Sequence, residues 1–208
     1  RGREAMKNII RDTIKITLIT LISGILLGFV FQITKEPIAK AQEDAKQNAY
    51  KKVFAQASSF EEDSTFNKKD AAAFLKEQNM TESQIDLLVK ALDKDKKVIG
   101  YVVNVTNHKA YGGDISYTVG VKTDGTLNDY EMLSISETAG LGMKAKEDKF
   151  KSQFHNVKVE QFTVTKQKAG SESEIEAISG ATITSKAVTN GVNAGISYIN
   201  HILEKGGK

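Results

Sequence analysis

The sequence predicts an α+β protein: a single N-terminal transmembrane helix, a helical segment, and a domain with a twisted antiparallel sheet packed by helices. Three observations predict it. Residues 16–34 (ITLITLISGILLGFVFQIT) contain no charged side chain. From residue 98 to 135 β-branched residues alternate with polar ones, around a turn at Thr123-Asp124-Gly125-Thr126. Near the C-terminus Val188, Val192, Ile196 and Ile199 recur at helical spacing.

The elements follow in chain order. Residues 1–15 hold five basic side chains (Arg1, Arg3, Lys7, Arg11, Lys15) against Glu4 and Asp12, which accounts for the whole net charge of +3. The rest of the chain is balanced, so no basic face is available to nucleic acid. As a helix, the uncharged run 16–34 spans about 28 Å, close to the thickness of a bilayer's hydrocarbon core. The positive flank precedes it, which predicts a cytoplasmic N-terminus and an extracytoplasmic domain in a cell (inner) membrane. Ala39-Lys40-Ala41 resembles a signal-peptidase site, but the apolar run is longer than a signal core, and an uncleaved anchor is expected. Thr20, Gly24 and Gly28 repeat every four residues, a small-residue stripe suited to docking on other membrane subunits.

Residues 35–97 read as a helical extension. Alanine, lysine and glutamine over 38–57 predict a continuing helix, and 70–78 a second short one. Thr81-Glu82-Ser83-Gln84 fits a capping box opening a third, through residue 92. The domain proper is expected over 98–208. Its strands are predicted at 98–107, 115–121, 127–135 and 157–165, with helices at 147–154 and 185–203.

Composition removes several chemistries. The chain has no cysteine, hence no disulfide, iron–sulfur cluster or thiolate metal site. Its three histidines, His108, His155 and His201, make no ligand spacing. No phosphate-binding P-loop, dinucleotide fingerprint, nucleophile elbow or zinc-protease motif occurs. What remains is Ser179-Gly180-Ala181-Thr182-Ile183-Thr184-Ser185, a strand-to-helix turn rich in hydroxyls that leads into the last helix. Unpaired N–H groups and the positive end of the helix dipole suit a phosphate there, and Gly180 and Ala181 leave room for a bulky group. The same residues also read as an ordinary helix cap.

Two motifs go further. Glu176-Ala177-Ile178-Ser179-Gly180-Ala181-Thr182-Ile183-Thr184 resembles the flavinylation motif of the FMN-binding domains in the G subunit of Rnf complexes and the C subunit of sodium-pumping NADH:quinone reductases, with Glu176 in place of the usual aspartate. Ser136-Glu137-Thr138-Ala139-Gly140-Leu141-Gly142 is similar to the E-T-P-G-L-G segment of the same domains, with Ala139 for the proline, and Tyr111-Gly112-Gly113 resembles their glycine-containing lead-in.

The resemblance implies FMN joined by a flavin transferase through a phosphoester to Thr182. It also implies a role as electron carrier in an ion-translocating ferredoxin:NAD oxidoreductase, with no catalytic residues of its own and with other membrane subunits as partners. Ser179, Gly180, Ala181, Thr184 and Ser185 would surround the phosphate. Glu137, Thr138, Gly140, Leu141, Gly142 and Met143 would lie near the ring. The C subunit of the quinone reductase is the near alternative. An anchored, non-redox binding domain is the alternative from another class.

Overall fold

The computed structural model describes residues 2–206. Helix α1 (Gly2–Val53) contributes to two units, one ending at Ala45 and the other beginning at Lys46. In the first unit, large apolar side chains from Met6 to Ile38 stand exposed. The hydroxyls of Thr13, Thr17, Thr20 and Thr34 donate to backbone carbonyls three or four residues back. Their polar groups are thereby satisfied within the helix, as lipid requires. Among the described residues, α1 is the one helix long and apolar enough to cross a membrane.

The second unit is organised by a five-stranded antiparallel sheet in sequential order. Its strands are β1 (Ser59–Glu62), β2 (Ser83–Leu92), β3 (Val98–Asn107), β4 (Ile115–Lys122) and β5 (Leu127–Ser134). Helix α2 (Lys68–Glu77) joins β1 to β2. After β5 come a 3-10 turn (Gly142–Lys146), the short α3 (Asp148–Lys151) and a second 3-10 turn (Ser152–Phe154). A parallel pair, β6 (Thr163–Thr165) with β7 (Glu174–Glu176), precedes α4 (Thr182–Gly206).

Both faces of the sheet are covered. On one face Val103, Val105, Tyr117 and Val119 pack with Val188, Val192, Ile196 and Ile199 of α4, all fully buried. Gly191 and Gly195 let the helix backbone come close: a β-carbon at Gly195 would lie 3.0 Å from Val119 Cβ. Tyr117 donates its hydroxyl to the carbonyls of Ala187 and Val188, at 3.1 and 3.0 Å. On the other face the end of α1 lays Tyr50, Val53 and Phe54 over Val89, Ala91 and Val102. Gly120 accommodates the Phe54 ring, whose Cε2 would stand 2.9 Å from an added β-carbon. The Asn128 amide donates to Val53 O, and Lys52 and Lys151 both pair with Glu131.

Three sequence expectations are corrected. Residues 81–92 are not a helix: 83–92 form β2, so the segment 35–97 supplies two strands of the sheet and is helical only in part. A bulge between Ile85 and Leu87 accounts for the helix-like pattern. It puts Ile85 and Leu88, three apart, on the same face opposite Val105 and Val103, which imitates a helical period. Pairing with the valine-rich β3 then outweighs the helical propensity of leucine, lysine and alanine, which is worth only a few tenths of a kcal/mol per residue.

The strand expected at 157–165 shrinks to Thr163–Thr165 plus a single bridge from Val157 to Leu127. Asn193 of α4 takes both backbone groups of Phe162, at 2.8 and 2.9 Å, in place of a ladder. The helix expected at 147–154 is only one turn of α-helix followed by a 3-10 turn, although Phe150 and Phe154 are buried.

Candidate functional site

The turn before α4 is built by its own sequence. Ala181 N–H donates to Ile178 O at 2.9 Å, closing a four-residue turn whose third residue, Gly180, has φ +77°. Only glycine adopts that conformation without strain. Ser185 clips the turn to the helix: its Oγ accepts from Ile178 N–H and donates to Ala181 O, both at 2.9 Å. Ser185 N–H also donates to Ala181 O at 3.0 Å and so begins the intrahelical ladder. The three N–H groups before it lie in the first turn, where a helix has no internal acceptor to offer. Thr182, first residue of α4, is half-buried, whereas Thr184 is 1% exposed.

Opposite lies the loop leaving β5. Leu141 and Met143 N–H both donate to Thr138 O, at 3.1 and 3.2 Å, and Gly140 has φ +75°. The β3–β4 loop closes a third side. Tyr111 and Gly112 N–H donate to the same oxygen, Glu137 Oε1, at 2.8 and 3.0 Å. Together the three segments enclose a cleft of about 580 Å³ lined by Tyr111, Glu137, Thr138, Leu141, Gly142, Gly180 and the residues 181–184. A β-carbon at Gly142 would lie 2.5 Å from Glu137 Oε2 and 2.8 Å from Thr184 Oγ1, so this wall closes only around a glycine.

The expected site residues divide. Gly180, Ala181, Thr182, Thr184, Glu137, Thr138, Leu141 and Gly142 meet on one cleft. Ser185 points inward as the clip. Ser179 lines an adjoining cleft of about 320 Å³ with Lys144, Phe150, Gln153 and Glu176. Gly140 and Met143 shape the loop without lining the cleft that holds Thr182.

Two lining residues escaped the sequence reading of the site, Tyr111 and Ile183. Their signal was an aromatic in a Tyr-Gly-Gly loop and an isoleucine in a helix's first turn, each without a core position to fill. Tyr111, Leu141 and Ile183 are 72%, 42% and 53% exposed. Among the described residues beyond Ala45, these are the large apolar side chains left exposed, and all three line this cleft. A soluble surface seldom gathers its exposed apolar groups without a ligand or partner to cover them.

Residues 110–197 match the family model of the FMN-binding domain, an interval that contains every residue lining the cleft. Over 187 residues the chain is 35% identical to the G subunit of the proton-translocating ferredoxin:NAD(+) oxidoreductase complex of Clostridium ljungdahlii, covering 90% of this chain and 89% of that one. The chain belongs to this G-subunit family. Another member, the G subunit of the Na(+)-translocating ferredoxin:NAD(+) oxidoreductase complex of Acetobacterium woodii, is 28% identical, with 88% of each chain covered. The fold of this G-subunit chain is that of NqrC from Shewanella oneidensis. Its crystal structure aligns with a TM-score of 0.50 at 18% identity, over 75% of this chain and 88% of that one.

Proposed function

We propose that this G-subunit chain is a membrane-anchored electron carrier of an ion-translocating ferredoxin:NAD oxidoreductase complex, holding one FMN through a phosphoester to Thr182. The observation that carries the proposal is the convergence on one cleft of a reachable threonine at a helix start and the domain's exposed apolar side chains.

The residues fit the group. The cleft volume falls within the range of roughly 300–1,000 Å³ typical of small-ligand sites. Thr182 offers its Oγ beside the N–H groups of the first turn of α4, where a phosphate's negative charge is stabilised. Leu141, Ile183 and Tyr111 offer apolar area to a planar ring. Thr184 is buried, which favours Thr182 as the residue a transferase reaches.

Attachment exchanges the Thr182 Oγ–H bond for an Oγ–P bond. The donor is an activated flavin phosphate, a phosphoanhydride: on the flavin transferase its bridging P–O bond breaks as the Oγ–P bond forms, and the Oγ proton leaves with the departing phosphate, with no change of oxidation state. FMN, when bound, supplies one- and two-electron chemistry, while the protein supplies binding, orientation and electrostatics. No acid, base or nucleophile of this chain is then required for turnover.

The basic flank before the apolar run favours a cytoplasmic N-terminus and an FMN-binding domain on the outside, under the positive-inside tendency. Tethering suits a carrier in that compartment, because a lost flavin is not replaced there. The other membrane subunits of the complex are its partners in electron transfer. The test is intact mass after coexpression with a flavin transferase. One added FMN, localised by peptide mapping to Thr182, is expected; a full-length chain without the adduct overturns the proposal.

A further inference from the structure

We infer that Glu137 is a positioning residue that holds the Tyr111 ring against the flavin, so that a buried carboxylate away from the attachment threonine governs the flavin's optical signature and potential. The inference rests on FMN occupying the cleft.

Three observations lead to it. The first is the cost of the clamp. Glu137 is 8% exposed, and its Oε1 accepts from both Tyr111 and Gly112 N–H. A buried carboxylate is retained where its hydrogen bonds fix something, because taking the charge out of water is unfavourable. Here they fix the loop that carries Tyr111. The second is the ring itself. Tyr111 is 72% exposed, yet it stands on the wall of the cleft that Leu141 and Ile183 also line. An aromatic side chain left in water at the rim of an apolar cleft is a surface for another ring, in offset stacking or edge-on contact.

The third is the lack of slack. Glu137 Oε2 and Cβ fill the space over Gly142, 2.5 and 2.7 Å from where a β-carbon would be, and Gly112 could not carry a side chain without meeting the Ser136 carbonyl. Glu137, on the loop after β5, thus ties that loop to the β3–β4 loop, with its side chain packed over Gly142. Tyr111 is held at its backbone, so the carboxylate fixes the point from which the ring reaches over the cleft.

A phenol ring in contact with an isoalloxazine quenches its fluorescence, and the aromatic face alters the balance between oxidised and reduced flavin. Glu137 acts on both through Tyr111. The experiment uses the full-length chain, coexpressed with a flavin transferase and purified in detergent. Native flavin fluorescence is normalised to flavin content measured after denaturation, and the midpoint potential is measured by spectroelectrochemistry. Tyr111→Ala is expected to raise the normalised fluorescence several-fold and shift the potential, whereas Tyr111→Trp keeps the quench. Glu137→Ala should raise fluorescence as Tyr111→Ala does, and the double variant no further than either alone. Glu137→Gln, which keeps an acceptor oxygen, should restore most of the quench.

Unchanged fluorescence in Tyr111→Ala overturns the inference, as does an additive double variant, which would mean that Glu137 acts by another route. Should Glu137→Ala not fold, Tyr111→Ala against Tyr111→Trp still decides whether the ring meets the flavin, and Glu137→Gln with the quench lost still excludes the clamp. A wild-type chain that acquires no flavin mass is the separate failure, of the FMN assignment itself.

Discussion

Exposed apolar surface occurs in two places in this chain, and the two are built in opposite ways. On α1 it is continuous: from Met6 to Ile38 large apolar side chains stand out around the helix, and the helix's own hydroxyls are turned back onto its carbonyls. In the FMN-binding domain it consists of three side chains from three separate segments, gathered on one cleft beside polar groups that point in chosen directions. The first arrangement has no preferred direction and suits a fluid solvent such as lipid. The second has a shape and a fixed polar end, and suits a single molecule. Composition marks an anchor, therefore, whereas convergence marks a binding site.

The largest expected effect tests the site. Thr182→Ala should abolish covalent flavin altogether, leaving a dark band on a denaturing gel, while Thr184→Ala should still yield a fluorescent one. A flavinylated Thr184 peptide from Thr182→Ala would show that reachability is not what selects the residue. Next comes the anchor. Leu26→Arg puts a charge in the middle of the uncharged run, at a cost of about 2.5–3.5 kcal/mol for insertion. The fraction recovered in washed membranes should fall; an unchanged membrane fraction would mean that residues 16–34 are not what holds the chain there.

A pair of glycines sharpens the contrast between site and scaffold. Gly142→Ala and Gly100→Ala each place a β-carbon on occupied space, the first on Glu137 and Thr184, the second on the Phe54 ring and the Val121 carbonyl. Each should lose about 1–3 kcal/mol of stability, measurable as a lower midpoint of thermal unfolding. Only Gly142→Ala should also alter the fluorescence of the attached flavin.

The smallest effect belongs to neither apolar surface. Burial raises the Glu131 carboxyl, but hydrogen bonds and attraction from Lys151 and Lys52 outweigh it and hold the value below the ordinary carboxylate range. Its stabilisation is present above the unfolded value, roughly 4.3, and is lost as pH falls through the lowered folded value. Asp129 is shifted the other way, upward, chiefly by burial, so its ionisation in the folded chain opposes stability at neutral pH. Glu131→Gln should therefore lower, and Asp129→Asn raise, the unfolding midpoint at pH 7, with both differences shrinking on acidification.

Much of this was legible in the residues because it was local. The uncharged run, the Thr123–Thr126 turn, the α4 stripe and the 179–185 turn are each set by neighbours in sequence. The rest needed the third dimension. The bulge at Ile85 changed a strand's period into something helical, and Asn193 replaced a strand ladder by a side chain from a helix thirty-one residues away. In the site, Thr182 and the loop after β5 were named from motifs. Ile183 and Tyr111 fall inside those motifs without being assigned to the site, because nothing local distinguishes an apolar residue that faces a cleft from one that faces a core. The clamp by Glu137 joins residues 25 and 26 apart and is invisible to any short pattern.

The hydroxyl of Tyr117, bound to two carbonyls of α4, has a consequence for rate. A helix held only by aliphatic packing can slip along its axis by a turn, about 5.4 Å, into a similar packing. Tunnelling of an electron weakens exponentially with separation, so a slip of one turn is enough to change its pace. By pinning Ala187 and Val188 to β4, Tyr117 makes the sheet a ruler for Thr182, and the position of a redox centre, were one attached there, would be set relative to the sheet by the fold.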